Sequence, residues 1–150
     1  MAYTQDPPQD LEPLLNAEQE HLSLLFSDSE AIDNKTLGIA AINVAILIFI
    51  GQASLQLQNW QLAALIGPYL ISLALNIATI WPRRYEGPGV DIDTHPEYLA
   101  MDKETLVMQL LSDTFNAVQN NTVINNKRWR LCVISIVCSA LGTGVLFAIL

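Results

Sequence analysis

Charged residues are absent from two long stretches of this 150-residue chain, and their absence constrains the fold more than any other feature. No Asp, Glu, Lys or Arg occurs in the 47 residues from 36 to 82 or in the 20 residues from 131 to 150. A helix that crosses the roughly 30 Å hydrocarbon core of a bilayer needs about 20 apolar residues and satisfies its backbone polar groups without water. The first stretch therefore accommodates two spans and the second accommodates one. The sequence predicts an all-α membrane protein with three transmembrane helices and cytoplasmic helical extensions.

The three spans divide the chain into a predicted order of segments. They are a flexible tail (1–10), a cytoplasmic helix entering the membrane (11–35), the first transmembrane helix (36–55), an outer turn (56–61), the second transmembrane helix (62–81), a cytoplasmic loop with a long amphipathic helix (82–130) and the third transmembrane helix (131–150). Ser27 with Glu30 matches a capping box and predicts a new helix start there, with a kink or break at Ser27. Thr94 with Glu97 repeats the pattern and predicts that the long helix runs over about 95–130.

Basic and aromatic residues at the span ends predict the orientation. Lys and Arg are retained on the cytoplasmic side, and Trp favours both membrane interfaces. Six of the seven basic residues flank the spans: Lys35, Arg83, Arg84, Lys127, Arg128 and Arg130. All seven lie inside if the N-terminus is cytoplasmic, with Trp60 at the outer turn and Trp81 and Trp129 at the inner interface. We expect a multi-pass protein of the inner (plasma) membrane whose C-terminus lies outside and whose immediate partner is the lipid bilayer.

Polar side chains recur at helical spacing within the predicted spans. They are Asn43 in the first span, Tyr69, Ser72, Asn76 and Thr79 in the second, and Ser135, Ser139 and Thr143 in the third. Asn43 and Asn76 lie at similar depths in antiparallel helices, so a hydrogen bond between them is geometrically possible. Burying an amide without a partner costs several kcal/mol, so these side chains should face protein or water. These eight side chains, which we call the polar stripe, either hold the helices of one subunit together by hydrogen bonds or line a pore. A pore requires a homo-oligomer because three spans cannot enclose one.

No pattern in the sequence predicts a chemical reaction. The formal net charge of −8 argues against a nucleic-acid partner. The two histidines, His21 and His95, are far apart, and phosphate-cradling glycine motifs are absent. The acidic run that starts at Asp91 fails as a calcium loop because Pro96 occupies the position that needs Gly. The sequence therefore predicts no catalytic residues, no metal, no cofactor and no enzymatic activity.

The order of short motifs carries a resemblance to a known group of proteins. Asp33 and Lys35 lie two residues apart where the first span begins, the run 96–99 (Pro-Glu-Tyr-Leu) precedes the long helix, and Asn126-Lys127 leads into the third span. This arrangement, over about residues 14–150, resembles the small transmembrane effectors of bacterial anti-phage systems, the Pycsar-effector and SLATT-type families. The resemblance implies an oligomeric inner-membrane effector that disrupts membrane integrity, by pore formation or depolarisation, in antiviral defence.

The resemblance allows more than one activating signal for such an effector. Some members of these families carry a fused cyclic-nucleotide-binding domain, and this chain has no β-rich segment to serve as one. A cyclic nucleotide or a cytoplasmic sensor protein would then be recognised by the cytoplasmic helices or by a partner. The alternative function is a non-conducting, membrane-anchored interaction subunit that docks a cytoplasmic partner.

Overall fold

The residues that the structure describes form three α-helices. The computed structural model describes residues 11–52, 58–87 and 100–149. Within them lie α1 (Glu12–Gln52), α2 (Asn59–Ile80) and α3 (Lys103–Ile149), and the described residues include no strand. Each helix is long and apolar enough to cross a membrane. The predicted all-α architecture with three membrane-spanning helices is thereby confirmed.

The chain divides into two compact units. The flanking unit comprises Met1–Ser27 and Arg84–Ile124, and the spanning unit comprises Asp28–Arg83 and Asn125–Leu150. Helices α1 and α3 each contribute to both units, whereas α2 lies wholly in the spanning unit.

The flanking unit has a small apolar core between α1 and α3. Leu22 and Leu25 pack against Ala117 and Val118, and Phe26 covers the cluster. The three-residue spacing of the two leucines places both on one face of α1. This contact is the one that an amphipathic helix needs in order to bury its apolar stripe.

A buried asparagine on α3 holds the segment that follows α2 in place within the flanking unit. Asn121 is fully buried, its Nδ2 donates to the carbonyl oxygen of Glu86 at 2.8 Å, and its Oδ1 accepts from the Glu86 amide at 3.2 Å. Beside this pair, the rings of Phe26 and Tyr85 lie 5.9 Å apart. The amide of Asn121 thus satisfies backbone groups that have no helix of their own.

The interior of the spanning unit is largely polar. Its buried positions recur at intervals of three, four or seven residues: Ile32, Thr36, Asn43 and Ile50 on α1, Leu65, Tyr69, Ser72, Asn76 and Thr79 on α2, and Arg128, Cys132 and Ser135 on α3. This spacing places them on one face of each helix, as in left-handed helix bundles. Large apolar side chains such as Ile42, Ile77 and Phe147 are exposed instead. An apolar exterior around a polar interior suits a hydrocarbon environment.

Helix α1 does not break at Ser27, so the predicted helix start there is wrong. The helix continues from Glu12 to Gln52, and Ser27 is exposed on it. Leu25, Ser29 and Ile32 are buried at spacings of four and three, so the packed face of the helix continues through this point. Packing on both sides outweighs the weak local preference of a capping box.

Helix α3 begins at Lys103, with Asp102 as its N-terminal cap. The Thr105 amide donates to Asp102 Oδ1 at 3.0 Å, and the Thr105 hydroxyl donates to Oδ2 at 2.8 Å. A helix running without interruption over 95–130 is therefore wrong, because residues 100–102 are not α-helical. The predicted capping box of Thr94 and Glu97 lies outside the described residues.

The same cap makes a prediction about acid. The amide and then the hydroxyl of Thr105 stabilise the carboxylate and hold the pKa of Asp102 below its ordinary value of 3.8. Because the pKa is lower in the folded chain, the cap contributes stability above that ordinary value, and this contribution is lost as the pH falls through the folded pKa.

We expect an NMR titration of the Asp102 carboxyl carbon in detergent micelles to give a midpoint below 3.8. Asp102→Asn keeps an oxygen acceptor but does not ionise, so it should remove this part of the acid dependence of unfolding. A midpoint at or above 3.8 would contradict the cap.

Candidate functional site

Five polar side chains meet inside the spanning unit and form an amide–hydroxyl network: Asn43 from α1, Ser72 and Asn76 from α2, and Ser135 and Ser139 from α3. Asn43 Nδ2 donates to Ser72 Oγ at 2.7 Å, and Ser139 Oγ donates to Asn43 Oδ1 at 2.8 Å. Ser135 Oγ donates to Asn76 Oδ1 at 2.5 Å. The network therefore joins all three helices through side chains alone.

Ser72 lies at the centre of the network. Its Oγ is 2.7 Å from Ser135 Oγ and 2.9 Å from Ser139 Oγ, in addition to its contact with Asn43. Ser72, Ser135 and Asn43 are fully buried. A hydroxyl is small and both donates and accepts, so it allows close helix approach while it connects neighbouring polar groups.

Tyr69 extends the polar contacts toward the end of the bundle away from Arg128. Its OH lies 3.1 Å from Thr143 Oγ1, while its buried ring belongs to the apolar cluster that includes Ile50 and Leu65. A Cβ on Gly142 would approach the Tyr69 ring to 2.9 Å. The absence of a side chain at Gly142 thus allows the ring to lie directly on α3.

The buried faces of the three helices of the spanning unit meet along one interface, which we call the seam. Arg128 joins the three helices at the end of the seam opposite Tyr69, close to where α2 ends. Its Nε donates to the Thr79 carbonyl oxygen at 2.9 Å, its Nη1 donates to Ser29 Oγ at 2.5 Å, and its Nη2 forms an ion pair with Asp33. Its side chain is 4 % exposed. The Thr79 carbonyl belongs to the last turn of α2, where carbonyl groups lack helical partners and the helix dipole favours a cation. We call Ser29, Asp33, Thr79 and Arg128 the arginine cluster.

The remaining basic and aromatic residues of the prediction are mostly exposed around these helix ends. Lys35 Nζ lies 5.1 Å from the centre of the Trp129 ring, which is within the range of a cation–π interaction. Arg83 Nη2 donates to the Ala78 carbonyl at 3.4 Å. Lys127, Arg130, Trp81 and, in the flanking unit, Arg84 are exposed. Trp60, at the start of α2, is exposed and donates to Gln58 Oε1 at 2.6 Å.

The structure brings the polar stripe together but pairs its members differently from the suggested Asn43–Asn76 hydrogen bond. Asn43 bonds to Ser72 and Ser139, and Asn76 accepts from Ser135. The difference amounts to one helical turn of α2, because Ser72 precedes Asn76 by four residues. Within the spanning unit the stripe of each helix therefore faces the other two helices of the same chain.

Two members of the arginine cluster were not predicted as site residues. Ser29 and Asp33 are four residues apart on α1, and both contact Arg128. A signal for them exists in the sequence, because the seam spacing of three and four residues continues from Leu25 through Ser29 and Ile32. An acid one residue from a seam position and an arginine at a seam position of α3 are candidates for an ion pair.

One polar atom of the network lacks a partner. Asn76 Nδ2 has no hydrogen-bond partner among the residues that the structure describes, although Asn76 is 1 % exposed. Leaving a buried donor unsatisfied costs about 1–3 kcal/mol. The two N–H groups of this amide can therefore donate up to two more hydrogen bonds.

Neither a metal-binding group among the described residues nor a similarity to known proteins adds to this description of the site. Over residues 11–52, 58–87 and 100–149, no group of three or more His, Cys, Asp or Glu side chains is placed to hold a metal ion. A scan against protein families and searches of curated proteins and solved structures return no match for this chain. The network and the arginine cluster are thus the features of the spanning unit that bear on function.

Removal of the acid from the arginine cluster should destabilise the spanning unit. Asp33→Asn leaves a buried guanidinium without its counter-charge, and because the Asp33 side chain is 37 % exposed we expect a loss of about 1–2 kcal/mol in the free energy of unfolding. Glu30→Gln is the matched control, because Glu30 is exposed on the same helix and its change should stay within about 0.5 kcal/mol. Unfolding in mixed detergent micelles, followed by circular dichroism, measures both, and equal losses would contradict the role of Asp33.

The contact between Tyr69 and Gly142 yields a second comparison. Gly142→Ala should lower the free energy of unfolding by about 1–3 kcal/mol, because its Cβ overlaps the tyrosine ring. Gly144→Ala is the control, since a Cβ there has open space around it and alanine favours the helix. The same unfolding measurement distinguishes them, and a Gly142→Ala protein as stable as Gly144→Ala would refute the close approach.

Proposed function

We propose that this protein is an oligomeric, non-enzymatic effector of the inner (plasma) membrane that disrupts membrane integrity, by pore formation or depolarisation, in bacterial antiviral defence. The observation that carries the proposal is the amide–hydroxyl network, which places two amides and three hydroxyls between helices apolar enough to span a membrane. A passive anchor needs only one apolar helix. Polar side chains within spans are costly in hydrocarbon and face the interior of a helix bundle or a water-filled cavity.

The closed network is the resting form of the proposed effector. In one protomer the three helices satisfy most polar groups of the stripe among themselves, so no water path is needed to keep them solvated. When several copies assemble, the helices separate along this seam and turn the stripe toward a shared water-filled path. Water then replaces the hydrogen bonds between helices, which limits the free-energy cost of opening.

The arginine cluster supports the resemblance to anti-phage effectors. Asp33 and Lys35, which carry the acid-x-lysine likeness, each contact the start of the third span: Asp33 pairs with Arg128, and Lys35 lies over Trp129. Short motifs at distant sequence positions therefore contribute to one region. Its basic side chains also favour a cytoplasmic location for this end and hence for the N-terminus.

The flanking unit is the part of the proposed effector on which the activating signal acts. It lies on the cytoplasmic side in this orientation, and a sensor protein or a cyclic nucleotide acts on it or on a partner bound to it.

A second candidate function is a non-conducting anchor that docks a cytoplasmic partner. It is favoured by an open apolar groove of about 420 Å³ in the flanking unit. The lining residues are Leu11, Leu14, Glu18, Met108, Leu111, Ser112 and Phe115. Leu14, Met108 and Phe115 are exposed there. In this case the three spans would hold the groove at the membrane surface and conduct nothing.

Expression in bacteria with a voltage-sensitive dye tests the proposal. We expect rapid depolarisation with the native chain and loss of depolarisation with Asn76→Leu. This substitution replaces the Asn76 amide by an apolar side chain of similar size. Ile77→Leu is the matched control, because Ile77 is 62 % exposed on the adjacent position of α2. Membrane fractionation and cross-linking verify that all three proteins insert and assemble equally.

The outcomes separate the two functions. A normal membrane potential, together with a soluble protein that co-purifies, favours the anchor and overturns the effector. Depolarisation that is unchanged in Asn76→Leu removes Asn76 from the proposed path.

A further inference from the structure

The atom of the amide–hydroxyl network that has no partner is a hydrogen-bond donor and not an acceptor. Each of its three hydroxyls carries one proton and each of its two amides carries two. Both amide oxygens already accept, Asn43 Oδ1 from Ser139 and Asn76 Oδ1 from Ser135. The atom without a partner, Asn76 Nδ2, is a donor. A species that enters this seam therefore meets the N–H groups of Asn76, to which no acceptor among the described residues is bonded.

The charges nearest to the network have the same preference. The spans contain no carboxylate, since no Asp or Glu occurs over 36–82 or 131–150. Arg128 is the buried charge at the near end of the seam, and Lys35, Arg83 and Arg130 are exposed around it. Asp33 neutralises Arg128, and the exposed Lys35, Arg83, Lys127 and Arg130 outnumber the other two acids of the unit, Asp28 and Glu30.

Permeant ions are selected by the groups that replace their water. A potassium ion needs a shell of oxygen atoms, as carbonyls or carboxylates provide, whereas a small anion needs N–H and O–H donors and a positive potential at the entrance. The seam offers donors at its centre and positive charge at one end.

We infer that the path along the amide–hydroxyl network conducts small monovalent anions, with chloride as the test case, in preference to cations. This inference rests on the proposed function and adds the class of ion to it. Asn76 Nδ2 is the central ligand to the anion, and Asn43 and the hydroxyls of Ser72 and Ser139 reorient to donate as the helices separate. The exposed Lys35, Arg83 and Arg130 raise the local anion concentration at the cytoplasmic mouth.

The test is the reversal potential of the full-length protein in planar bilayers under a KCl gradient. Chloride selectivity places the reversal potential near the chloride equilibrium potential, and replacement of chloride by gluconate moves it. A reversal potential near the potassium equilibrium potential overturns the inference but leaves the effector function intact. Absence of any current under conditions of assembly overturns both.

Two variants test whether the network sets the selectivity. Asn76→Asp replaces the donor by a carboxylate, and we expect the chloride-to-potassium permeability ratio to fall about tenfold, the size of one hydrogen bond to a charged group. Asn16→Asp adds the same charge at an exposed position of the flanking unit and should leave the ratio unchanged. Equal ratios in Asn76→Asp and the native chain would place selectivity elsewhere and overturn the assignment to the network. Because Asn76→Asp can fail to insert, membrane fractionation accompanies it, and the native-chain measurement decides the inference independently.

Discussion

The requirement that polar groups be satisfied where water is excluded governs the spanning unit. Each helix crosses with its backbone bonded internally, and the side chains that remain polar pair with one another at the seam. Asn43, Ser72 and Ser139 do so in the interior. Near the end of α2, Arg128 donates to the Thr79 carbonyl and forms an ion pair with the Asp33 carboxylate. The positions of the three helices follow from these pairs, because apolar faces gain little from one another in hydrocarbon.

The same periodicity serves two opposite purposes along one helix. In the flanking unit the seam positions of α1 are apolar, as at Leu22 and Leu25, and they bury a core of the ordinary water-soluble kind. In the spanning unit the seam positions include Thr36 and Asn43, and the apolar side chains face outward. The helix geometry is unchanged, and what reverses is the solvent that the opposite face meets. This reversal explains why α1 needs no break at Ser27 between the two units.

The spans and the stripe were predictable from the sequence because both follow from one-dimensional patterns: a lack of charge and a spacing of three and four residues. The start of α3 was not, since Asp102 caps it through the amide and hydroxyl of Thr105, and a search for Glu or Gln three residues after a cap does not find this pair. The Asp33–Arg128 ion pair was also missed, because the residues are 95 positions apart and their meeting depends on how three helices pack. The partners of Asn43 depended on one helical turn of register, which depth estimates do not resolve.

Asn76 is the residue for which helix packing alone gives no reason. Its amide oxygen strengthens the contact with Ser135, but its unpartnered N–H groups cost about 1–3 kcal/mol, and a leucine of similar volume would carry no such cost. An inert anchor would therefore be more stable without the amide. In the proposed effector the cost has a physical effect, because water or an anion that enters the seam supplies the missing acceptor and relieves it. The closed state is thus destabilised relative to the open one at the point where the path must form, and the free-energy difference that assembly has to overcome becomes smaller.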